Sequence, residues 1–113
     1  MNDLTMQAIH SSLRGLSARQ RSTADNISNL ETPRYLANRV SFEDDLKNAI
    51  RRGNPIASEV NTRRSLAPTG VNGNNVNLDE ETLSMIDTNL RYQLMVEAMN
   101  AKFRILRTAI RGN

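Results

Sequence analysis

The chain has 113 residues, which is too few for more than one domain, and only 4% of them are aromatic. Hydrophobic residues make up 38%, so we expect an elongated helical protein, or one that completes its core with other subunits. A net charge of +3 is mildly basic, and the absence of cysteine excludes disulfides, thiol catalysis and cysteine-based metal sites.

An apolar stripe with steps of three and four residues predicts a first helix from about Asp3 to Asn29. Asn2 or Asp3 can serve as its N-terminal cap. Gly15 lies inside the stripe, where it either weakens the helix or allows a neighbouring helix to approach closely. The stripe consists of Met6, Ile9, Leu13, Leu16, Gln20, Thr23, Ile27 and Leu30.

A proline ends this helix. Pro33 lacks a backbone donor and moves Thr32 out of the helical region. The segment Thr32-Pro33-Arg34-Tyr35 is therefore expected to form a turn. Arginine at its third position favours type I over type II, because type II needs a positive φ there.

The middle segment, residues 31–77, has weaker signals. Ser41 and Asp44 resemble a capping box and predict a short helix at about 42–51. Residues 52–76 have no periodicity and several Pro, Gly and Asn residues, which predicts an irregular, extended loop.

A second long helix is predicted from about residue 78 to residue 110. Asn77 with Glu80 is typical of a helix start, and Gly112 of a helix end. Its main apolar stripe consists of Leu83, Ile86, Leu90, Leu94, Ala98, Ala101 and Ile105.

A narrow stripe of this kind indicates a partner helix. The predicted fold is mainly α: residues 1–30 and 78–113 form a core domain by pairing as an antiparallel coiled coil, or pair with neighbouring copies. A second stripe makes the apolar arc of the C-terminal helix too wide for one partner. This predicts subunit contact, unless the middle segment folds back over it. The second stripe is Met95, Met99, Phe103, Leu106 and Ile110.

Residues for catalysis are not evident. His10 has no neighbouring carboxylate or second ligand in the sequence, and Asp79-Glu80-Glu81 is explained by the dipole at a helix start. No enzyme activity, cofactor or metal is expected, and no signal peptide or membrane span is recognised. By these rules alone the protein looks cytoplasmic. The basic residues of the last helical turns indicate dipole stabilisation or an electropositive tip: Lys102, Arg104, Arg107 and Arg111.

The segment 24–35 resembles the signature A-x-N-I-A-N-x-x-T-P-G-Y of bacterial flagellar axial proteins. Ser28 and Arg34 depart from it, where the signature has Ala and Gly. Residues 72–81, 89–93 and 102–110 are similar to the corresponding segments of the flagellar basal-body rod protein family. The matching signature residues are Asn26, Ile27, Asn29, Thr32, Pro33 and Tyr35.

This resemblance implies a structural subunit of the proximal flagellar rod that contributes to torque transmission and motility. The implied partners are other rod subunits, the MS ring with its adaptor FliE, and the flagellar type III export apparatus. Export to the periplasmic rod without a cleaved signal is implied, with no nucleic acid, small-molecule substrate or membrane insertion. The expected assembly interface is Met6, Ile9, Leu13, Leu16, Ile27, Leu83, Ile86, Leu90, Leu94, Met95, Met99, Ala101, Phe103, Ile105, Leu106 and Ile110.

Two other functions remain open from the residues. The basic C-terminal arginines also suit a small helical module that binds nucleic acid, although aromatic residues for base stacking are few. The apolar arc and basic residues of the last helix also suit a helix lying on a membrane surface, although Asp87 and Glu97 interrupt it.

Overall fold

The computed structural model describes residues 3–112 and shows an elongated molecule of 65 × 26 × 14 Å. The mainly helical class and its two long terminal helices are confirmed. The elements in chain order are α1 (Leu4–Ser28), β1 (Asn38–Ser41), α2 (Glu43–Arg51), a 3-10 turn (Pro55–Ala57), β2 (Asn61–Arg64) and α3 (Leu78–Arg111).

The ends of the long helices follow the predicted capping residues. The Asp3 carboxylate accepts hydrogen bonds from the backbone N–H groups of Thr5 and Met6, which satisfies free donors of the first turn. The Asn77 side chain accepts from the N–H of Glu80 in the same way. Gly112 ends α3 with φ 72°, a left-handed conformation that glycine adopts without steric cost. Asn2, the other predicted cap, lies outside the described residues.

The two long helices pair antiparallel, as predicted. Three side-chain contacts fix the register: Lys102 with Asp3 at 2.7 Å, Gln20 with Asn89 at 2.8 Å, and Asn26 with Glu81 at 3.1 Å. At about 1.5 Å per residue, α1 is about 37 Å long and α3 about 51 Å. The last turns of α3 therefore extend beyond the start of α1.

The face that α3 turns inward differs from its main apolar stripe. Glu81 and Thr88 are buried, and Tyr92 and Met95 pack against the core. The stripe from Leu83 to Ile105 lies largely on the opposite side and is exposed. The sequence left two partners open for this stripe, the other terminal helix and a neighbouring copy. Because α1 does not cover the stripe, contact with a neighbouring copy stays as the prediction.

The middle segment is more ordered than expected. β1 and β2 form an antiparallel two-stranded sheet in which Asn38 pairs with Arg64 and Ser41 with Asn61. The prediction of an irregular loop at 52–76 therefore missed a strand and a 3-10 turn, because a strand of four exposed polar residues has no alternating apolar pattern. The capping box at Ser41 was wrong as well. Ser41 ends β1, and α2 begins after Phe42 without a side-chain cap.

A small apolar core lies where α1, α2 and α3 meet. Leu16, Phe42 and Leu46 form its buried centre. The Phe42 ring lies directly on the backbone of Gly15, so a Cβ atom at this position would overlap the ring carbons. Gly15 does permit a close approach, but the neighbour is an aromatic ring from the middle segment and not a second helix.

Candidate assembly surface

The amide of Asn26 joins three elements at one end of the molecule. Its Nδ2 donates to the Asn38 carbonyl at 3.0 Å and to both carboxylate oxygens of Glu81 at 3.1 Å. Its Oδ1 accepts from the Asn38 N–H at 2.8 Å. Asn26 is 1% exposed, so this hydrogen bonding offsets the cost of burying a polar side chain between α1, β1 and α3.

A buried carboxylate completes this network. Glu81 is 2% exposed, and its Oε1 lies 2.6 Å from the guanidinium of Arg39. A buried charge needs a partner and hydrogen bonds, and Glu81 has both. From the sequence, Glu81 had been assigned only to the favourable dipole at the helix start. No local signal distinguishes it from Asp79 and Glu80, because its partners come from distant segments.

The turn after α1 is held by the segment that precedes α3. The Asn74 amide donates to the carbonyls of Asn29 and Thr32, both at 2.8 Å. The N–H of Arg34 donates to the Asn72 carbonyl at 2.9 Å. Arg34 has φ 60°, and Tyr35 N–H donates back to the Thr32 carbonyl at 3.3 Å. The predicted type I turn is therefore wrong: a positive φ at the third position belongs to type II.

A second asparagine fastens the same segment to the sheet. Asn75 accepts from the Ala37 N–H at 2.7 Å and donates to the carbonyls of Ser65 and Ala67 at 3.1 Å. Together with the Asn26 and Asn74 contacts, this forms what we call the clamp, made by residues 26–38 and 72–81. Two of the segments that carried the family resemblance, 24–35 and 72–81, thus contact each other.

The signature residues divide between the clamp and the surface. Asn29 accepts from the Thr32 hydroxyl at 2.9 Å, and the Tyr35 hydroxyl lies 3.4 Å from the Asn26 amide oxygen. Ile27 is half-buried on α1, and Pro33 is exposed in the turn. Most of the signature therefore serves the chain's own fold.

The most conspicuous surface feature is what we call the ridge, an apolar line along the outer face of α3. Five of its side chains are more than half exposed, and they extend over about 33 Å of helix. Scattered single apolar side chains are normal on a surface, but a continuous line of this length indicates an interaction site. The five are Leu83, Ile86, Leu90, Leu94 and Ile105.

The other expected interface residues lie in three environments. On α1, Ile9 and Leu16 are buried within the chain, and Met6, Leu13 and Ile27 are half-buried. On α3, Phe103 and Ile110 are exposed in the part that extends beyond α1. The expected interface residues of α3 that are half-buried are Met95, Met99, Ala101 and Leu106.

A groove of about 550 Å³ opens between α1, α2 and α3. Leu16, Phe42 and Leu46 form its apolar lining together with Ile50 of α2 and Leu94 of the ridge. The groove is therefore continuous with the ridge. Its rim carries the basic side chains Lys47, Arg51 and Arg91.

Two ion pairs tie the helices together. Arg19 makes two hydrogen bonds to Glu43, at 2.7 and 2.8 Å, and lies over the Phe42 ring. The hydrogen bond from Arg19 lowers the pKa of the Glu43 carboxyl. The hydrogen bond from Lys102 similarly lowers the pKa of Asp3. Lys102, which the sequence placed in an electropositive tip, is thus engaged within the chain.

Within residues 3–112, no three His, Asp or Glu side chains lie close enough together to hold a metal ion. His10 is exposed on α1. None of the described helices is both long enough and apolar enough to cross a membrane.

An elongated helical pair with an exposed apolar ridge defines an assembly subunit. Comparison with curated proteins gives the particular kind. The chain is 31% identical to the flagellar basal body rod protein FlgB of Bacillus subtilis, over 96% of this chain and 94% of that protein. It is 27% identical to FlgB of Borreliella burgdorferi over 98% and 100%, and 28% identical to FlgB of Escherichia coli over 76% and 78%. No family model matches the chain. The chain belongs to the FlgB family of flagellar basal body rod proteins.

Proposed function

We propose that the ridge on α3 is the surface through which this chain is built into the rod. The chain is a structural subunit of the flagellar basal body rod, as its FlgB relatives indicate, and it assembles there with other rod components. One observation supports the role of the ridge: it lies outside the core of its own chain. These apolar side chains do not contribute to the core of their own chain. We therefore expect contacts between subunits to bury them.

The finer assignments go beyond the names of the relatives. Residues 1–30 and 78–113 act as the core domain of the assembled rod, with 31–77 as the middle segment. The subunit occupies the proximal rod, contacts the MS ring and its adaptor FliE, and transmits torque without enzymatic activity. It reaches the periplasm through the flagellar type III export apparatus without a cleaved signal. The family resemblance supports these assignments, and a chain without cysteine cannot mispair thiols when it refolds after export.

The comparisons give no support to the nucleic-acid alternative. The relatives that match along most of the chain are rod proteins, and one of the four basic residues that motivated this alternative is paired with Asp3.

The test of the proposal places a charge on the ridge. Leu90 is 55% exposed, so Leu90→Asp should lower the free energy of unfolding of the free chain by only about 1–2 kcal/mol, through lost burial and helix propensity. A buried carboxylate at a subunit contact is costly, so cells that carry only this variant should not assemble rods or swim. Asn100→Asp, on an exposed position of the same helix away from the ridge, is the matched control. Normal swimming with Leu90→Asp would contradict the proposal.

A further inference from the structure

We propose that the groove between α1, α2 and α3 receives the N-terminal half of the ridge from a second copy of this chain. This inference rests on the proposed function, because it specifies how the ridge is used. The groove has an apolar lining, and Ile50 at its edge is 47% exposed. An apolar helix face is therefore the class of ligand that its lining can bind.

The charges at the rim select the ligand further. Glu43 is paired with Arg19, and Arg91 with Asp87 of its own chain. Lys47 and Arg51 have no ion pair within residues 3–112 and are exposed. The rim thus presents free positive charge around an apolar lining, which favours an apolar helix with acidic flanks.

The first turns of α3 have this character. Leu83 and Ile86 are 68% and 62% exposed, and exposed acidic residues flank them. Glu80 and Asp87 are paired with Arg39 and Arg91 of the same chain, whereas Asp79 has no ion pair within residues 3–112. The later half of the ridge carries Arg104 and Arg107 and would oppose the rim charges. Charge complementarity therefore assigns the first half of the ridge to the groove.

Groove and ligand lie at different places on the same molecule. The groove adjoins Leu94, about 12 Å along α3 from Ile86. A copy that docks into the groove of its neighbour leaves its own groove free for the next copy. Such a contact between unlike surfaces links more than two copies, in a closed ring or an open series, whereas a contact between like surfaces stops at a dimer.

Cysteine cross-linking of the full chain tests the docking, since the sequence contains no native cysteine. The double variant Ile50→Cys/Ile86→Cys places one thiol in the groove and one on the ridge. On oxidation it should give a ladder of trimers and longer species, and each single variant should stay mostly monomeric. Absence of the ladder would overturn the proposal. So would a dimer of Ile86→Cys alone formed as fast as the ladder, because it would show ridge-to-ridge pairing.

Charge reversal provides a second readout that does not depend on thiol geometry. Lys47→Glu/Arg51→Glu on the rim and Asp79→Lys beside the ridge should each weaken self-association, measured by sedimentation velocity, by severalfold to about tenfold. An equimolar mixture of the two variants should recover it, since each then offers a rim or a ridge of opposite sign. Arg52→Glu/Arg63→Glu, outside the groove, is the control with the same net charge. Failure of the mixture to recover association would refute the charge argument.

These outcomes are separable from failure of the proposed function. If no ladder forms while Leu90→Asp still abolishes swimming, this docking is wrong and the ridge remains the assembly surface. If Leu90→Asp cells swim normally, the proposed function of the ridge fails first.

Discussion

The clamp makes a quantitative prediction at Asn26. Replacement by alanine removes both halves of one amide. The N–H of Asn38 loses its acceptor, whereas the Asn38 carbonyl and the Glu81 carboxylate keep only their bonds from Arg39. One group left unsatisfied costs about 1–3 kcal/mol, and the two weakened groups add to this loss. The expected loss for Asn26→Ala is therefore about 2 kcal/mol, a large share of the stability of a small domain.

Urea denaturation followed by circular dichroism measures this loss. The matched control is Asn48→Ala on the exposed face of α2, where a change within about 0.5 kcal/mol is expected. A double-mutant cycle with Glu81→Ala tests whether the residues act together, because contacting residues are not additive. The two losses should sum to more than the double variant shows. A loss below 1 kcal/mol at Asn26, or full additivity with Glu81, would refute the account of the clamp.

Three further outcomes are expected. Gly15→Ala should destabilise the free chain by about 1–2 kcal/mol, since overlap with the Phe42 ring outweighs the gain in helix propensity. Adding Phe42→Leu to this variant should restore part of the lost stability. A Gly15→Ala chain more stable than the parent would contradict the packing. At position 34, glycine should be more stable than valine by about 1–2 kcal/mol in the same denaturation assay, because Arg34 has φ 60°; equal stabilities would rule out the left-handed turn. Glu43 and Asp3 have pKa values lowered in the folded state, so both carboxylates stabilise the folded chain. This contribution to stability is complete above their ordinary pKa values of 4.5 and 3.8, and it disappears as the pH falls through the lowered pKa values of the folded state. Thermal unfolding of Glu43→Gln should accordingly depend less on pH in this range than that of the parent chain, and an unchanged pH profile would argue against the pair.

Local signals predicted the helices well. The caps at Asp3, Asn77 and Gly112 act through residues two or three positions away, so the sequence contains all the information that they need. The same holds for the antiparallel pairing of two helices joined by a chain reversal. Apolar periodicity also located both apolar stripes of α3, the ridge and the second stripe that contains Met95.

Which of these faces is internal could not be read from periodicity. Glu81, Thr88 and Tyr92 share the inner face with Met95, and a polar residue at an inward position looks like a surface residue in sequence. The ridge has the cleaner apolar pattern, although it lies outside the core of its own chain. The clamp was missed for a related reason, since an asparagine that bonds to a carbonyl forty positions away leaves no local trace.

The turn at Arg34 shows how tertiary contacts override a local preference. Arginine disfavours a positive φ, which argued for type I. In the structure the N–H of Arg34 donates to the Asn72 carbonyl, and the Asn74 side-chain amide donates to the carbonyls of Asn29 and Thr32, before and at the start of the turn. The Asn72 backbone and the Asn74 side chain therefore fix the conformation, and the residue at position 34 adapts to it.

The span of the clamp has a consequence for the order in which the molecule becomes rigid. Asn26 also bonds to Asn38, but its carboxylate partner Glu81 and the Asn74 amide that supports the turn follow more than forty positions later. When only the first half of the chain is present, the Asn26 amide lacks the Glu81 carboxylate, and the turn lacks the Asn74 amide. The clamp therefore closes only when the last third of the chain is present. Until then the leading portion lacks these contacts, and they form when the trailing portion is present.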